Sequence, residues 1–360
     1  GMAIGTLLGG FVQYTCQWPK LRGVGLHYRP DFNLSDPGLR QILFLMGPAV
    51  VGTAAVQVNV VVNSIFASQI TDTAGDVVNG PVSWLVYAFR FMQLPLGLFG
   101  VAVAAATLPS ISRSAGRGQI GAFRETLSRS LGLVFLLTIP SAVGLIVLSR
   151  PVVGFIYERG AFTAVDTEQT AHALSLYCLG LAGYAAIKVL TPAYYALNDV
   201  RIPMAASVGS IFLNYSLNWT FVRVLGWGHG GLAFSTSLVV TFNFLALFWL
   251  MRRKVHHLLG RRLLRSVSKI SAASALMGLA CWSSSRSLRY VFGEATLARM
   301  LDLSVSISLG VLIFYALCRL LRVEEVESAK QAIVERFRPG STSRLDDQQR
   351  PYDRIDLDGY

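Results

Sequence analysis

The sequence predicts an all-α polytopic membrane protein with about nine transmembrane helices. Three observations carry that expectation. Apolar residues come in blocks long enough to cross roughly 30 Å of hydrocarbon. Charged residues fill only 14% of the 360 positions, against about 25% in a soluble domain. Lys and Arg sit mostly between the apolar blocks, and the mean hydropathy is +0.50. The net charge of +12 therefore does not point to nucleic acid, because its placement is what membrane topology requires.

The apolar blocks are residues 2–18, 41–67, 81–109, 130–149, 170–197, 203–222, 230–251, 266–285 and 299–320. The first is short for a span and lacks the basic leading region of a cleavable signal peptide. Together with the start at Gly1–Met2 it suggests a truncated chain. The second block carries Gln57, Asn59 and Asn63, and the two asparagines, four apart, share a helix face. The block 203–222 repeats this with Asn214 and Asn218. Amides in lipid must find partners, so these faces are expected to point inward. Pro48, Pro140, Pro192 and Pro203 are read as breaks or helix starts.

The block 81–109 is the most unusual, because it holds Arg90 well inside an apolar run. A charge at membrane depth costs roughly 2.5–3.5 kcal/mol on insertion scales. A chain keeps one mainly where it faces a wet cavity or an anionic partner. Gln93 follows, then Pro95, Gly97 and Gly100, which weaken or kink a helix. Lys188 lies within another apolar block, where it either lines a cavity or snorkels toward the nearer end.

Loop charge sets the direction. With the N-terminus outside, the inner loops hold Lys20, Arg22, Arg29, Arg40, Arg113, Arg117, Arg124, Arg129, Arg201, Arg252, Arg253, Lys254, Arg261, Arg262, Arg265 and Lys269. The outer loops hold six: Arg150, Arg159, Arg223, Arg286, Arg289 and Arg299. The bias predicts N-out and C-in. Outer loop 68–80 has no basic residue. Tryptophans near block ends fit the interfacial belt. The tail from 321 is charged; its start is expected to continue the last helix and its end, from Pro339, to be disordered.

Catalytic chemistry finds little support. No P-loop, HExxH or GxSxG motif occurs. Cys16, Cys178, Cys281 and Cys318 have no metal-ligand spacing and read as small core residues. His27, His172, His229, His256 and His257 read as surface side chains in or near loops.

Four runs resemble a known family. Gly47-Pro48 through Gln57 to Asn63-Ser64-Ile65-Phe66-Ala67-Ser68 resembles the seventh helix of the lipid II flippase family (MurJ, also called MviN). Tyr87-Ala88-Phe89-Arg90-Phe91-Met92-Gln93-Leu94-Pro95-Leu96-Gly97-Leu98-Phe99-Gly100, followed by Leu108-Pro109-Ser110, resembles its eighth. Tyr157-Glu158-Arg159-Gly160-Ala161-Phe162-Thr163 and Lys188-Val189-Leu190-Thr191-Pro192-Ala193-Tyr194-Tyr195 resemble its next loop and its tenth helix.

The resemblance implies a fourteen-helix, two-lobe exporter fold of the multidrug/oligosaccharidyl-lipid/polysaccharide exporter superfamily. Residues 1–19 would be a remnant of the sixth helix, 20–40 a cytoplasmic loop and 41–253 a six-helix lobe. Residues 254–320 would form two further helices and 321–360 a cytoplasmic tail. The implied activity is movement of lipid II, a lipid-linked peptidoglycan precursor, across the bacterial plasma membrane by alternating access. Lipid II would be the cargo, with membrane lipids and cell-wall synthesis proteins as partners. Arg90, Gln93 and Lys188 would contact substrate, and Pro95, Gly97 and Gly100 would form a conformational kink. Asn63, Asn214 and Asn218 fall where some members place a cation site. Coupling to Na+ and coupling to the membrane potential both stay open, as does plain interhelical hydrogen bonding for the three amides. Two other readings remain: a polysaccharide or drug exporter of the same superfamily, and a non-transporting truncated scaffold.

Overall fold

The computed structural model describes residues 2–23, 37–71, 79–255, 261–292, 296–323 and 325–326. Its helices are α1 (Met2–Gly23), α2 (Pro37–Ser68), α3 (Pro81–Pro95), α4 (Ala102–Gly116), α5 (Ile120–Val147), α6 (Ser149–Tyr157), α7 (Ala164–Cys178), α8 (Leu181–Ala196), α9 (Arg201–Asn218), α10 (Gly228–Lys254), α11 (Arg261–Phe292) and α12 (Thr296–Leu320). A π-helical turn, Leu96–Val101, joins α3 to α4, and a second, Trp219–Val224, extends α9. Each apolar block lies on this framework. Five described stretches are long and apolar enough to cross a membrane: Val50–Ser68, Pro81–Gly116, Ile120–Val147, Gly228–Lys254 and Ala298–Leu320; the bent pair α7–α8 makes up to a sixth.

The chain divides into two compact units, Gly1–Gly47 and Pro48–Tyr360. The first carries α1, with Leu7, Phe11 and Tyr14 exposed along it and Tyr14 tilted against Trp18. The second has its main core where α3, α5, α7, α8 and α10 meet. Phe123, Leu127, Leu131 and Val134 of α5 recur at three- and four-residue spacing and are fully buried. They meet Leu181, Ala185, Val189 and Tyr194 of α8 in one apolar cluster. The Tyr194 hydroxyl donates to the Leu247 carbonyl at 2.7 Å, so its burial leaves no orphaned polar atom. A smaller cluster of Leu136, Ile270, Ala273, Cys318 and Val323 binds α11 and α12 to α5.

Several expected boundaries move. The apolar block 130–149 lies in a longer helix that begins at Ile120, because its first turns are amphipathic: Phe123 and Leu127 are buried while the exposed Glu125 and Arg129 pair at 3.0 Å. A hydropathy reading trims such turns away. Pro140 and Pro192 lie inside α5 and α8 and end neither. The block 170–197 breaks instead between α7 and α8, which bend by 46°. Gly180 sits at that bend, where a Cβ would lie 2.8 Å from the Ser237 Cα. The last helix stops at Leu320 and does not run on into the tail. Arg322 takes a left-handed φ of 50°. Its N–H donates to Arg319 O at 3.1 Å and the Val323 N–H to Cys318 O at 3.0 Å, a Schellman closure.

Cys178, Cys281 and Cys318 are buried as expected, but Cys16 is exposed. His229 is half-buried, edge-on to Trp84 at 5.1 Å, because the first turn of α10 packs there. Trp84 itself is buried and donates from Nε1 to Asp166 Oδ1 at 2.8 Å, so it is a packing residue. His27, His256, His257, loop residues 72–78 and the tail from 327 lie outside the described residues.

Candidate functional site

The site is built around α3. One face, Trp84, Leu85, Ala88, Phe91 and Met92, is buried. The other presents Val86, Tyr87, Arg90, Gln93 and Leu94, and it continues through Gly97 and Leu98, all exposed. Aromatic contacts fix this rotation. Phe89 sits edge-on to Tyr177 at 5.6 Å and to Tyr184 at 6.3 Å, and Phe91 edge-on to Tyr157 at 5.3 Å. The Trp84–Asp166 hydrogen bond pins the start of the helix to the capping box Thr163–Asp166 of α7. With its neighbours locked, Arg90 is held on the open side. It forms no hydrogen bond or ion pair with a described residue. Five guanidinium N–H donors thus stand free on a span that is otherwise apolar.

Pro95, Gly97 and Gly100 frame the π-helical turn. Pro95 has no N–H for the helical ladder, and the π geometry starts at the next residue. Gly97 is open, with nothing within 4 Å of an added Cβ. Gly100 is pressed on α8, and a Cβ there would lie 3.2 Å from the Ala185 Cα. The two glycines therefore differ: one keeps the exposed stripe low, the other lets two backbones approach. Lys188 is exposed on α8, one turn beyond the Tyr184 that Phe89 touches, so the elements bearing Arg90 and Lys188 meet directly.

Asn63, Asn214 and Asn218 converge in one network. Asn218 donates from Nδ2 to Asn63 Oδ1 at 2.7 Å and to Asn214 Oδ1 at 3.1 Å. Asn63 donates to Thr236 Oγ1 at 3.0 Å, and the Ser235 hydroxyl donates to Asn218 Oδ1. Asn59 donates to Ser210 Oγ at 3.1 Å one turn away. The net joins α2, α9 and α10 just before the second π-helical turn. The oxygens of Asn63, Asn214 and Asn218 accept hydrogen bonds, the buried Asn59 Oδ1 has no partner among the described residues, and the net contains no carboxylate. The net ties three helices together; a cation at this place would share the same amide oxygens and meet no negative charge. Ser235 and Thr236 complete the net; they share the polar run Ser235-Thr236-Ser237 with Ser237, a visible signal of a polar face on α10. Among the described residues no group of three or more His, Cys, Asp and Glu could hold a metal.

A second polar cluster went unforeseen. Arg299 of α12 donates to Glu158 Oε1 at 2.8 Å, and Thr167 to Glu158 Oε2 at 2.9 Å. Arg150 and Arg289 line the same small cleft. The Arg299 hydrogen bond holds the Glu158 carboxyl below the usual carboxylate range. No periodicity could pair residues 141 positions apart.

Known proteins match this arrangement. The family model described as lipid II flippase MurJ matches residues 1–301. A probable lipid II flippase MurJ of Vibrio cholerae is 34% identical over 335 residues, covering 92% of this chain and 62% of that protein. Its counterpart from Rickettsia prowazekii is 30% identical, covering 91% and 63%. The chain thus spans less than two thirds of the length of these relatives. Among solved structures, a lipid II flippase MurJ in an inward closed conformation aligns with a TM-score of 0.61 at 27% identity, covering 82% of this chain and 57% of that one. A transporter of the MOP superfamily from Pyrococcus furiosus aligns at 0.50 with 18% identity, covering 80% and 66%, which speaks to the fold alone. With the Arg90 stripe, the π-helical turn and the helix order on the same matched segment, the chain belongs to the lipid II flippase MurJ family.

Proposed function

We propose that the chain serves a flippase that moves lipid II from the inner to the outer leaflet of the bacterial plasma membrane, with its N-terminus outside and its C-terminus in the cytoplasm. The observation that carries this reading is the exposed stripe of Arg90 and Gln93 on an apolar span, held open by the aromatic contacts of Phe89 and Phe91. A guanidinium fork matches the oxygens of a pyrophosphate, and an adjacent amide can serve the sugar. Lys188 adds a second cation on the neighbouring α8. The π-helical turn gives the wall that carries Arg90 a place to flex as the cavity changes sides. Two lobes must rock for alternating access, so residues 48–320 would supply one lobe and its C-terminal hairpin. The neutral amide net, which holds no carboxylate, favours the membrane potential over Na+ as the drive acting at that position.

The test is complementation in cells depleted of their own lipid II flippase. The chain is fused behind the N-terminal lobe of the Vibrio cholerae relative. Losing a charged hydrogen bond costs about 1.5–3 kcal/mol, or roughly 10–100-fold in affinity. Arg90→Ala should abolish rescue at normal membrane levels, and Arg90→Lys should restore part of it. Full growth and normal lipid II translocation with Arg90→Ala would remove Arg90 from the mechanism. Translocation that stops when the Na+ gradient alone is collapsed would overturn the assignment of the drive.

A further inference from the structure

The α11–α12 hairpin contains a buried carboxylate that the transport reading does not use. Asp302 is 1% exposed, at the packed face that α12 turns to α11. Ser285 of α11 donates to Asp302 Oδ2 at 2.8 Å, and Ser306, one turn on, donates to Oδ1 at 3.0 Å. The Ser306 hydroxyl also lies 3.2 Å from that of Ser284. Ser285 and Ser306 are themselves buried, at 2% and 0%. The walls above and below are small or apolar: Cys281 donates to Ser306 O at 3.3 Å, and Gly310 lies against Cys281.

The described charged groups on the turns nearest Asp302 are engaged elsewhere. Arg299, one turn before Asp302, reaches to Glu158 of the loop after α6. Arg289 donates to the Ser285 carbonyl at 3.3 Å, and Arg286 lies over the Trp282 ring. Among the described residues, Asp302 forms no ion pair. A buried ionised carboxylate whose partners are neutral hydroxyls lacks a counter-charge, and such a charge is costly in an apolar helix pair.

We propose that Asp302, with the hydroxyls of Ser284, Ser285 and Ser306, is a site for a small monovalent cation, Na+. The donor set is hard oxygen and carries a single negative charge, so one Na+ neutralises it. Mg2+ would leave excess charge and dehydrates reluctantly. The hydroxyls now donate to the carboxylate; rotation about their Cβ–Oγ bonds turns lone pairs toward the same centre. The cation would staple α11 to α12 as a resident ion. The proposal stands whether or not the chain transports lipid II.

The test is equilibrium binding of radioactive sodium to the purified full chain in detergent, at mildly alkaline pH with choline as the replacement cation. Melting is followed in parallel. One saturable Na+ per chain is expected, with a melting temperature that rises with Na+ and not with choline. Asp302→Asn should lose both effects. Ser285→Ala and Ser306→Ala keep the carboxylate and remove one oxygen each, and should weaken Na+ binding by about tenfold. They keep the question decidable if Asp302→Asn does not fold. Absence of saturable binding, retention of it in Asp302→Asn, or wild-type affinity in both serine variants would overturn the site. Stabilisation by acid alone, equal in Na+ and choline, would also overturn it by assigning the carboxyl a proton.

Discussion

Asn218 uses every atom of its amide: one nitrogen serves two neighbouring amides, and its oxygen takes the Ser235 hydroxyl. Replacing it with Leu takes the Nδ2 donor away from the Asn63 and Asn214 oxygens, at about 1–3 kcal/mol, while Ser235 keeps the Leu232 carbonyl at 2.9 Å. Replacing Asn59, whose donated bond goes to Ser210 alone, should cost only about 0.6 kcal/mol, the usual worth of one interhelical hydrogen bond in a membrane. Thermal melting in detergent should therefore rank Asn218→Leu well below Asn59→Ala, and equal melting would remove the net as a stabilising element. Glu158 makes a pH prediction. Its carboxyl is held below the usual range by the Arg299 hydrogen bond. The contribution of that pair is thus present at and above the ordinary carboxylate pKa and disappears as pH falls through the lower, folded value. The melting difference between wild type and Glu158→Gln should be flat at neutral pH and vanish only in strong acid. The asparagine face was legible in the sequence because four-residue spacing survives in any helix. The Glu158–Arg299 pair was not, because it depends on how α12 seats against the end of α6.

On the scale of elements, the rod from α3 through the π-helical turn to α4 tests how much two glycines differ. Gly97→Ala enters open space and removes a flexible residue from a helix, so it should be neutral or stabilising by up to about 1 kcal/mol. Gly100→Val forces the backbone of the π-helical turn away from Ala185 and should destabilise by about 1–3 kcal/mol. Equal effects would mean that the turn yields freely against α8. Composition alone marked this stretch as weak, and the structure shows that the weakness is a widened turn. The bend between α7 and α8 shows the opposite limit. Pro192 drew attention, yet the chain bends at Gly180, where a neighbouring backbone comes close. A proline can be absorbed by a helix whose neighbours satisfy the freed carbonyl, and only the tertiary contact distinguishes the two cases.

For the whole molecule, the direction across the membrane rests on charge. Single cysteines at exposed Arg159 and exposed Arg117, in a background without the four native cysteines, test it. An impermeant maleimide should label Arg159→Cys in intact spheroplasts and Arg117→Cys only after lysis; the reverse pattern would invert the topology. Of the roughly nine crossings expected, five described stretches, or six with the bent pair, are long and apolar enough to span. The all-helical class and the order of the helices were readable because hydrocarbon thickness sets block length. The seating of the last two helices was not, since small residues such as Gly278 and Gly310 say only that something comes near. That seating has a mechanical consequence. Near one end Arg299 grips Glu158. Near the other Ser266 holds Glu325, whose side chain covers Gly132 of α5, and Lys269 holds the Leu321 carbonyl. Tied to Glu158 near one end and packed on α5 near the other, the hairpin would ride on α5 as a passenger in the proposed transport cycle, leaving sliding to surfaces elsewhere.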